Sequence, residues 1–267
     1  MKISPVLLLA LLVPVAARAA LPAPDADNGG LTLPPGFRAV VVADKLKPLR
    51  NLAVAPNGDI YVKTRKAGIY ALRDTDGDGR ADVIKEFGSG GGTGIALRDG
   101  WLYTSTDDHV FRYPLVPGEL VPAGEPQRVI RDLPNGRQHE AKVFAFGADG
   151  QLYVETGSPS NAYGGKKDRA RGAQGEDATE FLKTHGGFWR FDPDKLEQTQ
   201  ADGYHFSTGH RHATTIALNP VNRQLFVSIH GRDQLNTVAP QFFSVLLVRV
   251  SVLEVLPGRA AIDVLVR

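Results

Sequence analysis

One pattern constrains this chain more than any other. A short apolar segment, a tight turn and a second segment with an aromatic residue at a fixed place recur four times. The copies are residues 52–55, turn Pro56-Asn57-Gly58 and 59–62; 94–97, turn Asp99-Gly100 and 101–104; 143–146, turn Asp149-Gly150 and 151–157; and 215–218, turn 219–223 and 224–228. Period-two alternation broken by Asn-Gly or Asp-Gly predicts β-hairpins, with a type I′-like turn at Asp149-Gly150. Further strands are expected at 68–72, 110–113 and 187–191, and a first strand at 37–43. Helical periodicity is nearly absent.

The aromatic markers Tyr61, Tyr103, Tyr153 and Phe226 lie 42, 50 and 73 residues apart. The first two spacings match the roughly 40–50 residues of a propeller blade. The third is lengthened by a polar insertion, residues 158–185, with a short helix expected near 178–183. The fold class is therefore all-β, a β-propeller of about four recognisable blades over residues 33–243, an incomplete ring. A β-sandwich explains the shared aromatic register less well. The 29 glycines and 18 prolines suit frequent turns.

Residues 1–19 read as a secretory signal peptide: Lys2, an apolar core from Val6 to Val15, then Ala17-Arg18-Ala19. The apolar run is too short to span a membrane. Residues 20–32 form a Pro/Asp/Gly-rich lead. The formal charge of +2 includes Lys2 and Arg18, so no basic footprint for nucleic acid remains. The absence of cysteine excludes disulfides, thiol catalysis and Cys-type zinc sites. Such a chain suits the periplasm or secretion. Residues 244–267 lack both the turns and the aromatic register. They read as one more strand or as an anomalous tail from truncation or a shifted reading frame, the second being preferred.

Several groups could carry chemistry. Asp74, Asp76, Asp78 and Asp82 stand at positions one, three, five and nine of an acidic loop, with Gly79 allowing a sharp turn. They fit a structural calcium loop of the hairpin kind, or an acidic turn. The glycine-rich stretch 88–94 precedes a strand rather than a helix, which excludes a phosphate loop. It fits backbone packed near an axis or against a flat ligand. His139, His205, His210, His212 and His230 include a period-two pair, but no carboxylate at ligand spacing joins them as zinc ligands. His139 stands out because of what surrounds it at the start of the third hairpin copy.

Three features together carry a resemblance. They are His139 ten residues before Asp149-Gly150, with Gly157 closing the unit; Gly209-His210-Arg211 before a strand; and His230-Gly231-Arg232-Asp233-Gln234-Leu235 after the next. From about residue 33 to 241 the chain resembles the glucose/sorbosone dehydrogenase family, closest to its sorbosone dehydrogenase-like branch. These are soluble six-bladed quinoproteins that use pyrroloquinoline quinone (PQQ) and calcium. The resemblance implies His139 as the catalytic base, a neutral imidazole with pKa near ambient. It implies Arg211 as the cofactor contact, and the Gly231 and Arg232 carbonyls as cofactor and calcium ligands. The partner would be a small-molecule sugar. Gln138 replaces an acidic neighbour, His212 an asparagine, and the family's remaining blades should follow Gln241. A calcium-dependent propeller lactonase and a non-catalytic fragment or binding module are the alternatives.

Overall fold

Each recurring segment folds as a hairpin, and consecutive hairpins build four antiparallel sheets in chain order. The computed structural model describes residues 22–136, 138–161, 163, 168, 175–231 and 233, and the backbone of 245–250. The signal-peptide reading of 1–19, part of the insertion and most of the 244–267 tail lie outside the described residues.

The first blade contains β1 (Leu49–Val54), β2 (Ile60–Thr64), β3 (Ile69–Arg73) and β4 (Val83–Phe87). The second contains β5 (Ile95–Arg98), β6 (Trp101–Ser105), β7 (Val110–Pro114) and β8 (Gln127–Ile130). The third contains β9 (Phe144–Phe146), β10 (Leu152–Thr156), β11 (Gly187–Phe191) and β12 (Tyr204–Thr208). The fourth contains β13 (His212–Leu218), β14 (Leu225–His230) and β15 (Val245–Val250). Every sheet runs up and down. The first strands β1, β5, β9 and β13 lie beside one another in succession, the radial order of a propeller. The only α-helix among the described residues is α1 (Thr179–Leu182), in the insertion where a short helix was expected. No helix among them is long and apolar enough to cross a membrane.

Apolar side chains are buried between blades. Tyr61, Ile69 and Ala71 meet Ile95, Leu102 and Tyr113 across the first interface. Tyr103, Val110 and Ile130 meet Phe144, Val154 and Trp189 across the second. Val143, Tyr153 and Phe188 meet Ala213, Leu225 and Val227 across the third. Three of the four aromatic markers are buried. A buried hydroxyl needs a partner: Tyr61 donates to Leu120 O at 3.1 Å and Tyr103 to Pro193 O at 3.2 Å, each in a loop of the following blade. Tyr153 instead donates to Asp149 of its own turn at 2.8 Å.

Four local expectations are changed or filled in. Residues 37–43 form no strand; they are tied singly, Val41 N–H to Asp25 Oδ2 and Asp25 N–H to Ala39 O. This segment and the one after it cover the outer face of the first blade, where Ala43 and Leu46 pack on Val62, Tyr70 and Leu72. The two-residue turn with both φ positive is Asp99-Gly100 (48° and 78°), closed by Arg98 opposite Trp101. At Asp149-Gly150 only Gly150 is left-handed, because Gly147 accepts from Gly150 N–H and donates to Gln151 O, making a longer turn. The fourth strands β4, β8 and β12 have no counterpart in the sequence reading. The backbone of 245–250 pairs with β14 from Leu225↔Val250 to His230↔Val245.

The glycine-rich stretch is the link between the first two blades. A Cβ at Gly91 would lie 2.0 Å from Arg65 O, and one at Gly92 2.0 Å from Ser105 O. Backbone packed on backbone is the reason for these glycines.

Candidate active site

The site forms where the loop before β9, the end of β10 and the start of β13 converge. His139 has φ +56°, a left-handed backbone rare for a residue with a side chain. Gly157, just past β10, makes room for it, since a Cβ there would lie 2.5 Å from His139 Cβ. His139 Nδ1 is 2.8 Å from Ser158 O. A carbonyl only accepts, so Nδ1 carries the proton and Nε2 keeps the lone pair. Ser158 N–H in turn donates to Arg211 O at 2.7 Å. One residue therefore ties the imidazole to the backbone of Arg211.

Burial pushes the His139 pKa down to about 4. The Ser158 carbonyl opposes this, while Arg211 and His212 add to it. The imidazole is neutral, as expected, but its pKa lies well below ambient. Loss of hydration penalises the charged form beyond what sequence spacing reveals.

Arg211 is nearly buried, and Nε and Nη2 of its guanidinium are engaged. Nε donates to Asn161 O at 2.8 Å; Nη2 donates to Asn161 Oδ1 at 2.9 Å and to Asp233 Oδ2 at 2.6 Å. Asn161 Oδ1 also accepts from Asp233 N–H at 2.9 Å. Asn161 thus docks the insertion on Arg211, and Asp233 places a carboxylate at the outer end of the fork. Gly231 directly follows β14 and is exposed. Arg232 lies outside the described residues.

The histidines divide into two groups. His212 stacks on His139 with centroids 5.1 Å apart and planes at 26°. His230 meets His212 edge-on at 6.3 Å. His205 stacks on Trp189 at 4.2 Å, and His210 packs against Phe188 at 5.5 Å, so neither joins the cluster. A carboxylate does reach it: Glu155, 0% exposed, has Oε1 3.4 Å from His212 Nδ1. Lys142 is equally buried, its Nζ donating to Glu140 O. Burial lowers its pKa, and Glu155 is the largest opposing influence.

Glu155, Ser158, Asn161 and Asp233 were not assigned roles from sequence. Glu155 had a readable signal, being an ionisable residue two places from Tyr153 on the inward face of an apolar strand. Such a group is buried only with partners.

The acidic loop stands apart, between β3 and β4. Ligand atoms of Asp74, Asp76 and Asp78 lie within 4.8 Å of one another, the only such group among the described residues. Asp74 also accepts from Gly77 N–H at 2.7 Å and Gly79 N–H at 2.8 Å. Asp82 Oδ2 accepts from Thr75 N–H at 2.7 Å and Thr75 Oγ1–H at 2.6 Å.

A family model described as TrAA12-like matches residues 31–245. No curated protein matches the sequence. Among solved structures, the holo form of the pyranose dehydrogenase PQQ domain from Coprinopsis cinerea is similar at TM-score 0.64 and 14% identity, over 82% of this chain and 51% of that one. The calcium structure of the Trichoderma reesei carbohydrate-active enzyme of family AA12 gives 0.60 and 16%, over 72% and 48%. The PQQ-bound aldose sugar dehydrogenase from Streptomyces coelicolor gives 0.50 and 24%, over 72% and 59%. At these identities the likeness is one of fold. The chain spans about half the length of these structures.

Proposed function

This chain belongs to the TrAA12-like family, and from that premise we propose that it is a PQQ-dependent oxidoreductase acting on an aldose or related sugar aldehyde, with His139 as general base. The observation that carries the reading is the His139 tautomer. Its Nδ1–H is held by Ser158 O, which leaves Nε2 bare in a neutral ring. A positioned nitrogen of this kind can accept a hydroxyl proton as hydride leaves the adjoining carbon.

Among the described residues, Arg211 supports such a cofactor. Arg211 offers a fixed cation, and the Asp233 carboxylate it holds shows that the fork accepts an anionic oxygen. Arg211 would hold a cofactor oxygen. The main-chain carbonyls of Gly231 and Arg232 would supply hard oxygen ligands to calcium. When bound, PQQ supplies the hydride acceptor. His139 takes the proton, and Ser158 keeps the ring in register.

Calcium at Asp74, Asp76 and Asp78 would be structural, since that loop joins β3 to β4 in the first blade; Asp82, expected as a further ligand, is turned to Thr75 and does not join the cluster. Export to the periplasm or medium rests on residues 1–19, and a mature N-terminus near Ala20 would support it.

The test is dye reduction with a panel of aldoses after addition of PQQ and calcium. Cofactor-dependent activity that His139→Ala abolishes is expected. Calcium-dependent PQQ binding with no turnover of any sugar would leave a binding module. Neither binding nor turnover would overturn the proposal for this chain.

A further inference from the structure

The geometry points to Glu155 as a positioning residue for His139, acting through the ring of His212. The inference rests on the reading of His139 as the base.

Glu155 is the fourth residue of β10, and every residue of that strand is buried. A carboxylate removed from water is costly unless donors match it. Oε1 has two: Ala213 N–H at 3.1 Å and His212 Nδ1 at 3.4 Å. Both donors belong to the start of β13 in the next blade, so the carboxylate reaches across the blade interface. Oε2 has no hydrogen-bond partner among the described residues.

A clamp between blades would need only the main-chain donor. The second donor is an imidazole whose face lies on His139. Because a carboxylate only accepts, His212 must carry its proton on Nδ1. That bond fixes the plane of the His212 ring, and His230 packs edge-on against it. His139 is then held at one ring nitrogen by Ser158 O and over one ring face by His212. The Ser158 bond alone fixes one atom and leaves the ring free to pivot about it. The stacked face removes that freedom and aims Nε2. The chain thus places a tethered aromatic ring where the resemblance calls for asparagine.

Three single variants of the full chain test this. Glu155→Gln keeps an oxygen for Ala213 N–H but loses the charge. His212→Phe keeps a ring against His139 but loses the tether, and His212→Ala loses both. The first readout needs neither cofactor nor sugar: the side-chain NMR signals of His139, assigned by their loss in His139→Ala. The parent chain is expected to show one tautomer, protonated at Nδ1. His212→Ala and Glu155→Gln should show broadened signals or exchange between tautomers, with His212→Phe in between.

In the PQQ- and calcium-loaded protein, kcat should fall on the order of tenfold in Glu155→Gln, with KM within about twofold. Unchanged His139 signals in folded Glu155→Gln and His212→Ala overturn the inference, whatever the activity. If Glu155→Gln does not fold, the two His212 variants decide. If even the parent chain reduces no dye, the oxidoreductase reading fails, and the NMR result still decides the positioning role.

Discussion

At the scale of single residues, His139 sets the most exacting conditions. Its pKa in the fold, about 4, lies below the ordinary 6.5. Between those values the unfolded chain binds the proton more readily than the folded one. The stability linked to this group is therefore fully present above about pH 6.5 and is lost as pH falls toward 4. The acid limb of kcat/KM is expected near pH 4 rather than 6.5, which a pH–rate profile on an aldose will locate. Gly157→Ala should place a methyl carbon against His139 Cβ. A loss of about 1–3 kcal/mol in denaturant unfolding is expected, with activity falling further than stability, because the displaced residue is the base. Much of this was legible: His139 stood at the start of the third hairpin copy, and Gly157 closed the same unit. The depth of its pKa shift was not, because desolvation depends on what His212, Arg211 and the insertion bring over it. Glu155 passed for one polar residue in an alternating strand, since its partners lie 57 and 58 residues away.

At the scale of elements, the central strands were readable and the outer ones were not. Strands β2, β6, β10 and β14 each carry a marker aromatic; the first three are buried almost throughout, and β14 alternates. β4 reads Val-Ile-Lys-Glu-Phe, with its three middle residues exposed. β12 is similarly open to solvent. An outermost strand has one hydrogen-bonded neighbour and little apolar burial, so its sequence has no reason to alternate. Turn type was misplaced for a related reason. Asp-Gly at 99–100 and at 149–150 is the same dipeptide, and the strand register chose the conformation. Tyr61→Phe tests the element-level bonds. It leaves Leu120 O without its buried donor and should cost about 1–2 kcal/mol. Urea titration should show a lower midpoint at an unchanged slope.

At the scale of the whole molecule, the four blades form an arc. No apolar cluster joins the first blade to the fourth among the described residues, and β1 leaves Leu49, Leu52 and Val54 exposed. The outer face of the first blade is covered by the unpaired segment containing Ala43 and Leu46, and an Arg80–Asp25 ion pair ties the β3–β4 loop to the lead. Deleting residues 22–48 should uncover Val62, Tyr70 and Leu72. A cost of about 2–4 kcal/mol is expected, together with self-association visible by size-exclusion chromatography. This arrangement was illegible because 37–43 has the composition of a strand, and its backbone is instead tied one bond at a time to the Asp25 and Asn28 side chains, Asp25 N–H, the Arg80 guanidinium and Ala81 N–H.

The tyrosine bonds between blades run in one direction along the chain. Tyr61 waits for a carbonyl 59 residues later, and Tyr103 for one 90 residues later. During synthesis from the N-terminus, the first two blades therefore emerge with a hydroxyl whose carbonyl partner lies in the blade that follows. For those two blades the bond can form only after the next blade has been made, so this part of the assembly follows the direction of the chain.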